Sequence, residues 1–247
     1  MSGMEQVAKR VVYFISDVHL DIRESPSERE EMLSDFFEIV KSDGSHLYIV
    51  GDLFDFWFEY KFTIPAAYLQ TVAGLFDLSK SGIEVFYIPG NHDFWMKDYL
   101  VRQAKVKLTG DYHEANHFGK KLLLTHGDGL RKDDRGYRFI KKLFRNRFCI
   151  WLYSQLPTNF AYKLAMGTSK ASRNYTNHRD IKDSTDYIEF AESKMNDGYD
   201  AVVMGHVHKP EIVEIDKKHY VNCGDFFNNF SYVMLNENGF ELKYMKK

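Results

Sequence analysis

Five apolar runs of strand length, each closed by a cluster of aspartate, histidine or asparagine, constrain this chain more than any other feature. Residues 11–15 run into Ser16-Asp17-Val18-His19, 47–50 into Gly51-Asp52-Leu53-Phe54-Asp55, and 85–88 reach Gly90-Asn91-His92-Asp93. Residues 122–124 lead to Thr125-His126-Gly127-Asp128, and 201–204 to Gly205-His206-Val207-His208. Helical spacing separates the runs, as in Met32, Leu33, Phe36, Phe37 and Val40, and in Tyr68, Val72, Leu75, Phe76 and Ser79. The alternation predicts a layered α/β domain, in which chemistry collects beyond the carboxyl ends of strands. After Glu211 the pattern changes to short runs at 211–215, 219–222, 232–235 and 240–244, read as antiparallel hairpins closing a second sheet.

Each cluster taken singly is an ordinary turn or cap. Five in this order, each at the end of a strand, point to a metal centre. Asp17 and His19 stand two apart and point the same way on an extended chain, so they can share an ion. The same holds for His206 and His208 if the chain stays extended there; if it turns, the imidazoles diverge to serve different ions, the arrangement preferred here. Glycines 51, 90, 127 and 205 suit a backbone that turns close to a bound ion or phosphate. Carboxylate, imidazole and one amide oxygen, without thiolate, suit Mn, Fe, Zn, Co or Ni better than Ca. Asp55 reads either as a support for His19 or as a carboxylate at a helix N-terminus, and Asp128 has a similar pair of readings. His46, His113, His117, His178 and His219 fall outside the clusters and read as structural or solvent-facing.

With 247 residues, 44% of them hydrophobic, the chain can bury one sizeable core, and 1–247 is read as a single domain. Two cysteines fit neither a disulfide framework nor a thiolate zinc site, the apolar run 11–15 after the polar start reads as too short for a secretory signal core, and no run is long enough to span a bilayer. A cytosolic protein is expected. Residues 131–179 interrupt the scheme: twelve Lys or Arg face two acids there, a local +10 in a chain of formal charge -2. The acidic remainder argues against a nucleic-acid partner. The insert has helical period, with Phe139, Leu143, Phe148, Trp151 and Leu152 among Lys141, Lys142, Arg145 and Arg147, and with Pro157 between two helices. One reading is a basic lid whose apolar faces take acyl chains while its cations meet a diphosphate or anionic headgroups, with peripheral contact at a membrane. The other is helices packed on the body with solvated cations; the scarcity of acids favours the lid.

The order Asp-x-His, Gly-Asp-x-x-Asp, Gly-Asn-His-Asp, His, Gly-His-x-His resembles that of the calcineurin-like metallophosphoesterases, over about residues 11–245. The resemblance implies a four-layer αββα sandwich with a two-metal centre, Mn foremost. One ion would be held by Asp17, His19, Asp52 and His208, the other by Asp52, Asn91, His126 and His206, with Asp52 bridging. Within that family the chain is most similar to the UDP-2,3-diacylglucosamine pyrophosphohydrolases of lipid A biosynthesis. The residues that carry this are Gly51-Asp52-Leu53-Phe54-Asp55-Phe56-Trp57, His126-Gly127-Asp128-Gly129-Leu130, Asp133-Asp134 before Gly136-Tyr137, and an insert ending near Thr168-Ser169-Lys170. The subfamily's pattern implies substrate contacts at Asn91, Asp134, Ser169 and His206. The chain departs from it at Gly90-Asn91-His92-Asp93, where the best known members have Gly-Asn-Arg-Asp, and around Arg173 and Thr176, where an Asn and a Lys are expected; Arg173 can supply a cation to a phosphate.

The expected reaction is dinuclear-metal hydrolysis of UDP-2,3-diacylglucosamine to UMP and the acyl sugar phosphate. Asp52 and Asn91 would hold the metals, and His92 would contact the phosphate or protonate the leaving oxygen, oriented by Asp93. Two alternatives are a phosphodiesterase or phosphatase acting on another substrate, and a non-catalytic scaffold of the same fold.

Overall fold

The computed structural model describes residues 11–61, 63–167 and 184–246. Its first sheet holds β1 (Val11–Ile15), β2 (Gly44–Val50), β3 (Glu84–Ile88), β4 (Lys107–Leu108), β10 (Ser231–Asn236) and β11 (Gly239–Tyr244), in the order β11-β10-β1-β2-β3-β4. The second holds β5 (Tyr112–His117), β6 (Lys120–Thr125), β7 (Ala201–Met204), β8 (Glu211–Ile215) and β9 (Lys218–Asn222), in the order β5-β6-β7-β9-β8. β1 through β4 are parallel to one another, as are β6, β7 and β9, so the loops that follow them leave each sheet at one end.

The period-two pattern of the strands builds the layers. In β1, Val11, Tyr13 and Ile15 face one way and Val12 and Phe14 the other; β2 divides Leu47 and Ile49 from Tyr48 and Val50. The first set packs under α1 (Glu28–Asp43), α2 (Leu69–Lys80) and α3 (Tyr99–Ala104), and the second meets Leu122, Leu124, Ala201 and Val203 from the other sheet. Leu123, Val202 and Met204 turn outward to α7 (Thr185–Asn196). Three apolar interfaces therefore make four layers, helix on sheet on sheet on helix. α1 begins with a complete capping box, the Ser27 hydroxyl on the Glu30 amide and the Glu30 carboxylate on the Ser27 amide. Between β6 and α7 lie α4 (Arg135–Phe144), α5 (Arg147–Ser154) and a further helix over 158–167, α6.

Three expectations need correction. The two C-terminal hairpins do not close one sheet: β8 and β9 join the second, whereas β10 pairs with β1 and carries β11 onto the edge of the first. Phe76 lies off the buried stripe of α2 and is instead covered by the Lys80 ammonium, 4.8 Å from its ring. Strand β5 is absent from the sequence reading because two of its three inward positions, His113 and His117, carry imidazoles and only Ala115 between them is aliphatic. His113 lies 5.0 Å from the Phe86 ring, and His117 bonds the Tyr48 hydroxyl at 2.8 Å and touches His46 at 4.6 Å between ring centres.

Burial, together with His46, holds the His117 imidazole down at about 4. The unfolded chain, with an ordinary histidine near 6.5, binds more protons between those values. This contribution to stability is therefore present above pH 6.5 and lost as pH falls toward 4. In urea titrations with chelator present, His117→Gln should flatten the loss between pH 7.5 and 4.5 by roughly 1 kcal/mol, the group being half-buried and screened.

Candidate metal centre

The ends of β1, β2, β3, β6 and β7 bring their polar clusters to one place. Asp17, His19, Asp52, His126 and His208, along with Asn91, His92 and His206, surround it; Asp17, His19, Asp52 and His126 are buried, and the others border solvent. Each carboxylate is divided between two tasks. Asp17 Oδ2 accepts the Ser16 hydroxyl at 2.6 Å and the His206 amide at 2.8 Å, while Oδ1 faces His208 Nε2 at 3.1 Å and His19 Nε2 at 3.6 Å. Asp52 Oδ1 accepts the His92 amide at 2.8 Å, while Oδ2 faces His126 Nε2 at 3.3 Å and His19 Nε2 at 3.7 Å. One oxygen of each locks a neighbouring loop and the other looks into the cluster.

These contacts need an unusual backbone. Asp17, His19, Asp52, His206 and His208 all have positive φ, between 49° and 68°. Asp and His tolerate this region better than most side chains, and such strain concentrates at functional sites. The turn corrects the sequence argument: Asp17 and His19 share a focus because the chain curls between them, not because it is extended. It also separates the last pair, His206 lying 5.1 Å from the His126 ring and His208 reaching Asp17.

The electrostatics suit bound cations. Burial alone would raise Asp17 and Asp52, but the surrounding imidazoles hold both below the usual carboxylate range. Burial alone would lower His19 and His126, but Asp17 and Asp55 beside the first, and Asp52 and Asp17 beside the second, raise each to about 10. The carboxylate field that favours positive charge on these rings favours a bound cation equally, and an imidazole that ligates metal does so in its neutral form. Both ring nitrogens of His19 are buried without a hydrogen bond. His126 Nδ1 donates to the Val50 carbonyl at 2.8 Å, which turns Nε2 toward Asp52 Oδ2 and toward Asn91 Oδ1, 3.1 Å away. Three groupings, Asp17-His19-His208, His19-Asp55-His92 and Asp17-Asp52-His126, hold ligand atoms close enough for an ion. The donor set fits divalent metal.

Two supporting roles differ from expectation. Asp93 does not orient His92: its carboxylate accepts the Gly90 amide at 2.8 Å and the Tyr87 hydroxyl, and burial, with Asp52 nearby, lifts it to about 6. Asp55 takes that place. Its carbonyl lies 3.1 Å from His92 Nδ1, and its Oδ1 stands 3.7 Å from that atom and 3.6 Å from His19 Nδ1. No helix begins at Asp55, which removes the helix-terminus reading.

Asp55, Asn91 and His92 also form one end of a cavity of about 550 Å³ whose other walls include Trp95, Phe144 and Tyr153. Asp134 precedes α4 and does not line it; Ser169 and Arg173 lie outside the described residues. α4 is tied to the body: Tyr137 and Lys141 bond Asp128 Oδ2 at 2.7 and 2.8 Å, Lys141 and Arg145 pair with Asp111, and Trp95 Nε1 donates to the Phe144 carbonyl at 2.9 Å. Lys141 and Arg145, expected to meet a diphosphate, are already engaged. The alternative in which the insert's apolar residues pack on the body also fails: Phe139 and Phe148 are 70% and 66% exposed, and Leu143, Trp151 and Leu152 are exposed with them. Sequence reasoning missed Ser16, Tyr87, Arg29 and Phe227, of which only Ser16, adjoining the first cluster, left a signal.

Residues 10–210 match the family model described as calcineurin-like phosphoesterase. A Porphyromonas gingivalis protein named UDP-2,3-diacylglucosamine hydrolase is 31% identical over 245 residues, covering 90% of this chain and 93% of that protein. A Histophilus somni protein of the same name is 30% identical over 233 residues, covering 93% and 97%. An archaeal phosphodiesterase structure shares the fold, with a TM-score of 0.52 at 12% identity over 95% of this chain and 99% of that one.

Gly90 lies where a Cβ would overlap Asp52 Oδ1 and stand 2.6 Å from the Asp52 amide nitrogen. Gly90→Ala should therefore displace Asp52, cost about 1–3 kcal/mol in thermal or urea unfolding, and weaken uptake of added divalent cation in equilibrium dialysis.

Proposed function

This chain belongs to the calcineurin-like phosphoesterase family, and on that premise we propose that it hydrolyses the diphosphate of UDP-2,3-diacylglucosamine to UMP and 2,3-diacylglucosamine 1-phosphate. One observation carries the substrate: the cavity that begins at Asn91 and His92 continues between aromatic walls, so a single ligand with a phosphate head and an apolar body fits it. The relatives named for that substrate support the same reading. We assign Asp17, His19, Asp52 and His208 to one divalent cation, and Asp52, Asn91, His126 and His206 to a second, with Mn as the first candidate. Bound cations of this kind activate water at neutral pH and draw charge from phosphoryl oxygens.

The chain's own groups do the rest. In hydrolysis a water oxygen bonds to phosphorus, one bridging P–O bond breaks, and the departing oxygen gains a proton. A carbonyl can only accept, so His92 Nδ1 carries its proton toward Asp55 and the other ring nitrogen serves the substrate. Burial holds His92 below the ordinary imidazole value. An arriving polyanion reverses that preference, and the imidazolium then donates to the departing oxygen. Asn91, Asp134, His206, Ser169 and Arg173 complete the proposed substrate contacts.

Peripheral membrane contact on the cytosolic face is part of the proposal. Phe139, Leu143, Phe148, Trp151, Leu152 and Phe160 are exposed, with Lys142, Arg147 and Lys163 among them. No helix among the described residues is long and apolar enough to cross a membrane.

Release of UMP from the diacylglucosamine nucleotide, measured against turnover of an aryl phosphodiester and of single-stranded DNA, tests the substrate; preference for either control would overturn it. Asp52→Ala should lose bound metal and activity together, and a variant keeping two tight ions contradicts the bridging role. His92→Ala should lower kcat about 10²-fold with both metals retained. Phe148→Asp combined with Trp151→Asp should weaken flotation with anionic liposomes while leaving metal content unchanged.

A further inference from the structure

The two halves of the cluster are held in different ways. His126 is fixed by its own hydrogen bond to the Val50 carbonyl, the usual device for a metal-ligating imidazole. His19 has no such bond at Nδ1; its nearest carboxylate oxygen there, on Asp55, is 3.6 Å away. Beside that ion pair its ring is bounded by packing, with the rings of His92 and His208 at 4.8 and 5.4 Å between centres and Phe227 on a further side. Phe227 stands edge-to-face against it, 5.7 Å between centres at 75°, and meets His208 at 5.2 Å and 86°.

Phe227 is itself pinned from both sides. Asp225 Oδ1 accepts the amides of Phe227, Asn228 and Asn229 at 3.1, 2.6 and 3.1 Å, and the Phe226 amide donates to the Asp17 carbonyl at 3.0 Å. The Arg29 guanidinium from α1 lies 5.5 Å from the Phe227 ring centre. The same guanidinium donates to the carbonyls of Val18, at 3.2 Å, and His19. One cation therefore contacts both the left-handed turn that carries His19 and the aromatic ring packed edge-on against His19 and His208.

We propose that Arg29 and Phe227 are positioning residues for the Asp17-His19-His208 half of the site, and that the ion held there depends on this wedge while the ion beside His126 does not. The inference rests on the two-cation reading of the proposed function. A phenylalanine that merely filled the core would affect both ions alike or neither, because Asp52 joins the halves. Here the loss falls on one side.

The test titrates Mn²⁺ into the chelator-stripped full-length chain and counts ions by mass spectrometry of the metal and by electron paramagnetic resonance. The wild type should take up two ions. Phe227→Ala should keep one within twofold of its original affinity and weaken the other at least tenfold, with Phe227→Tyr restoring it. Adding His208→Ala to Phe227→Ala should cost little more, whereas adding His206→Ala should weaken both ions. Arg29→Lys, which retains the charge but not the planar fork, should weaken the same ion and serves in place of Phe227→Ala if that variant does not fold. A wild type binding fewer than two ions overturns the two-cation reading and this inference with it. Two ions in the wild type, with the variants losing neither or both equally, overturn this inference alone.

Discussion

The division of each buried carboxylate into an outer and an inner oxygen is the constraint on which the rest of the site depends. Asp17 and Asp52 are almost wholly withdrawn from water, a placement that is costly for a charge unless several partners share it. Their outer oxygens receive amides from His206 and His92, residues distant in sequence, and so stitch β1 to the loop after β7 and β2 to the loop after β3. Their inner oxygens are thereby left converging with imidazoles around a common space. The close approaches at Gly90 and Gly205, where a Cβ would overlap Asp52 and Ser16 respectively, follow from the same stitching.

Much of this was legible because the decisive residues are of rare chemical types and stand immediately after apolar runs. Strands β1, β2, β3, β6 and β7 are continuous apolar runs, which show that the strands exist and are buried on both sides but not which residues face which layer. What was hidden was set by contacts between distant segments. Nothing in residues 232–244 says that β10 will pair with β1 rather than with β9, since either edge would bury its valines and leucines. The exchange of Asp93 for Asp55 beside His92 turns on backbone dihedrals that sequence spacing cannot specify. Arg29 and Phe227 look like a surface helix cation and a loop aromatic until the fold brings them together.

The insert illustrates how a sound compositional signal can be right about surface and wrong about individual charges. Among the described residues Lys142, Arg147 and Lys163 are exposed with Phe139, Phe148 and Trp151, yet Lys141 and Arg145 turn inward to Asp128 and Asp111. A charge count over a segment reports the field of that segment; which members of it remain available depends on acids supplied by the body, here from the loop before β5 and the cluster after β6.

Those inward pairs are unequal. At one end of α4 the Asp128 carboxylate is nearly buried, whereas at the other Asp111 is substantially exposed, and exposed pairs weaken as salt accumulates. Raised salt therefore weakens the Asp111 pairs before those at Asp128, while the Trp95 bond to the Phe144 carbonyl, a neutral contact, keeps the far end of α4 against the cavity wall.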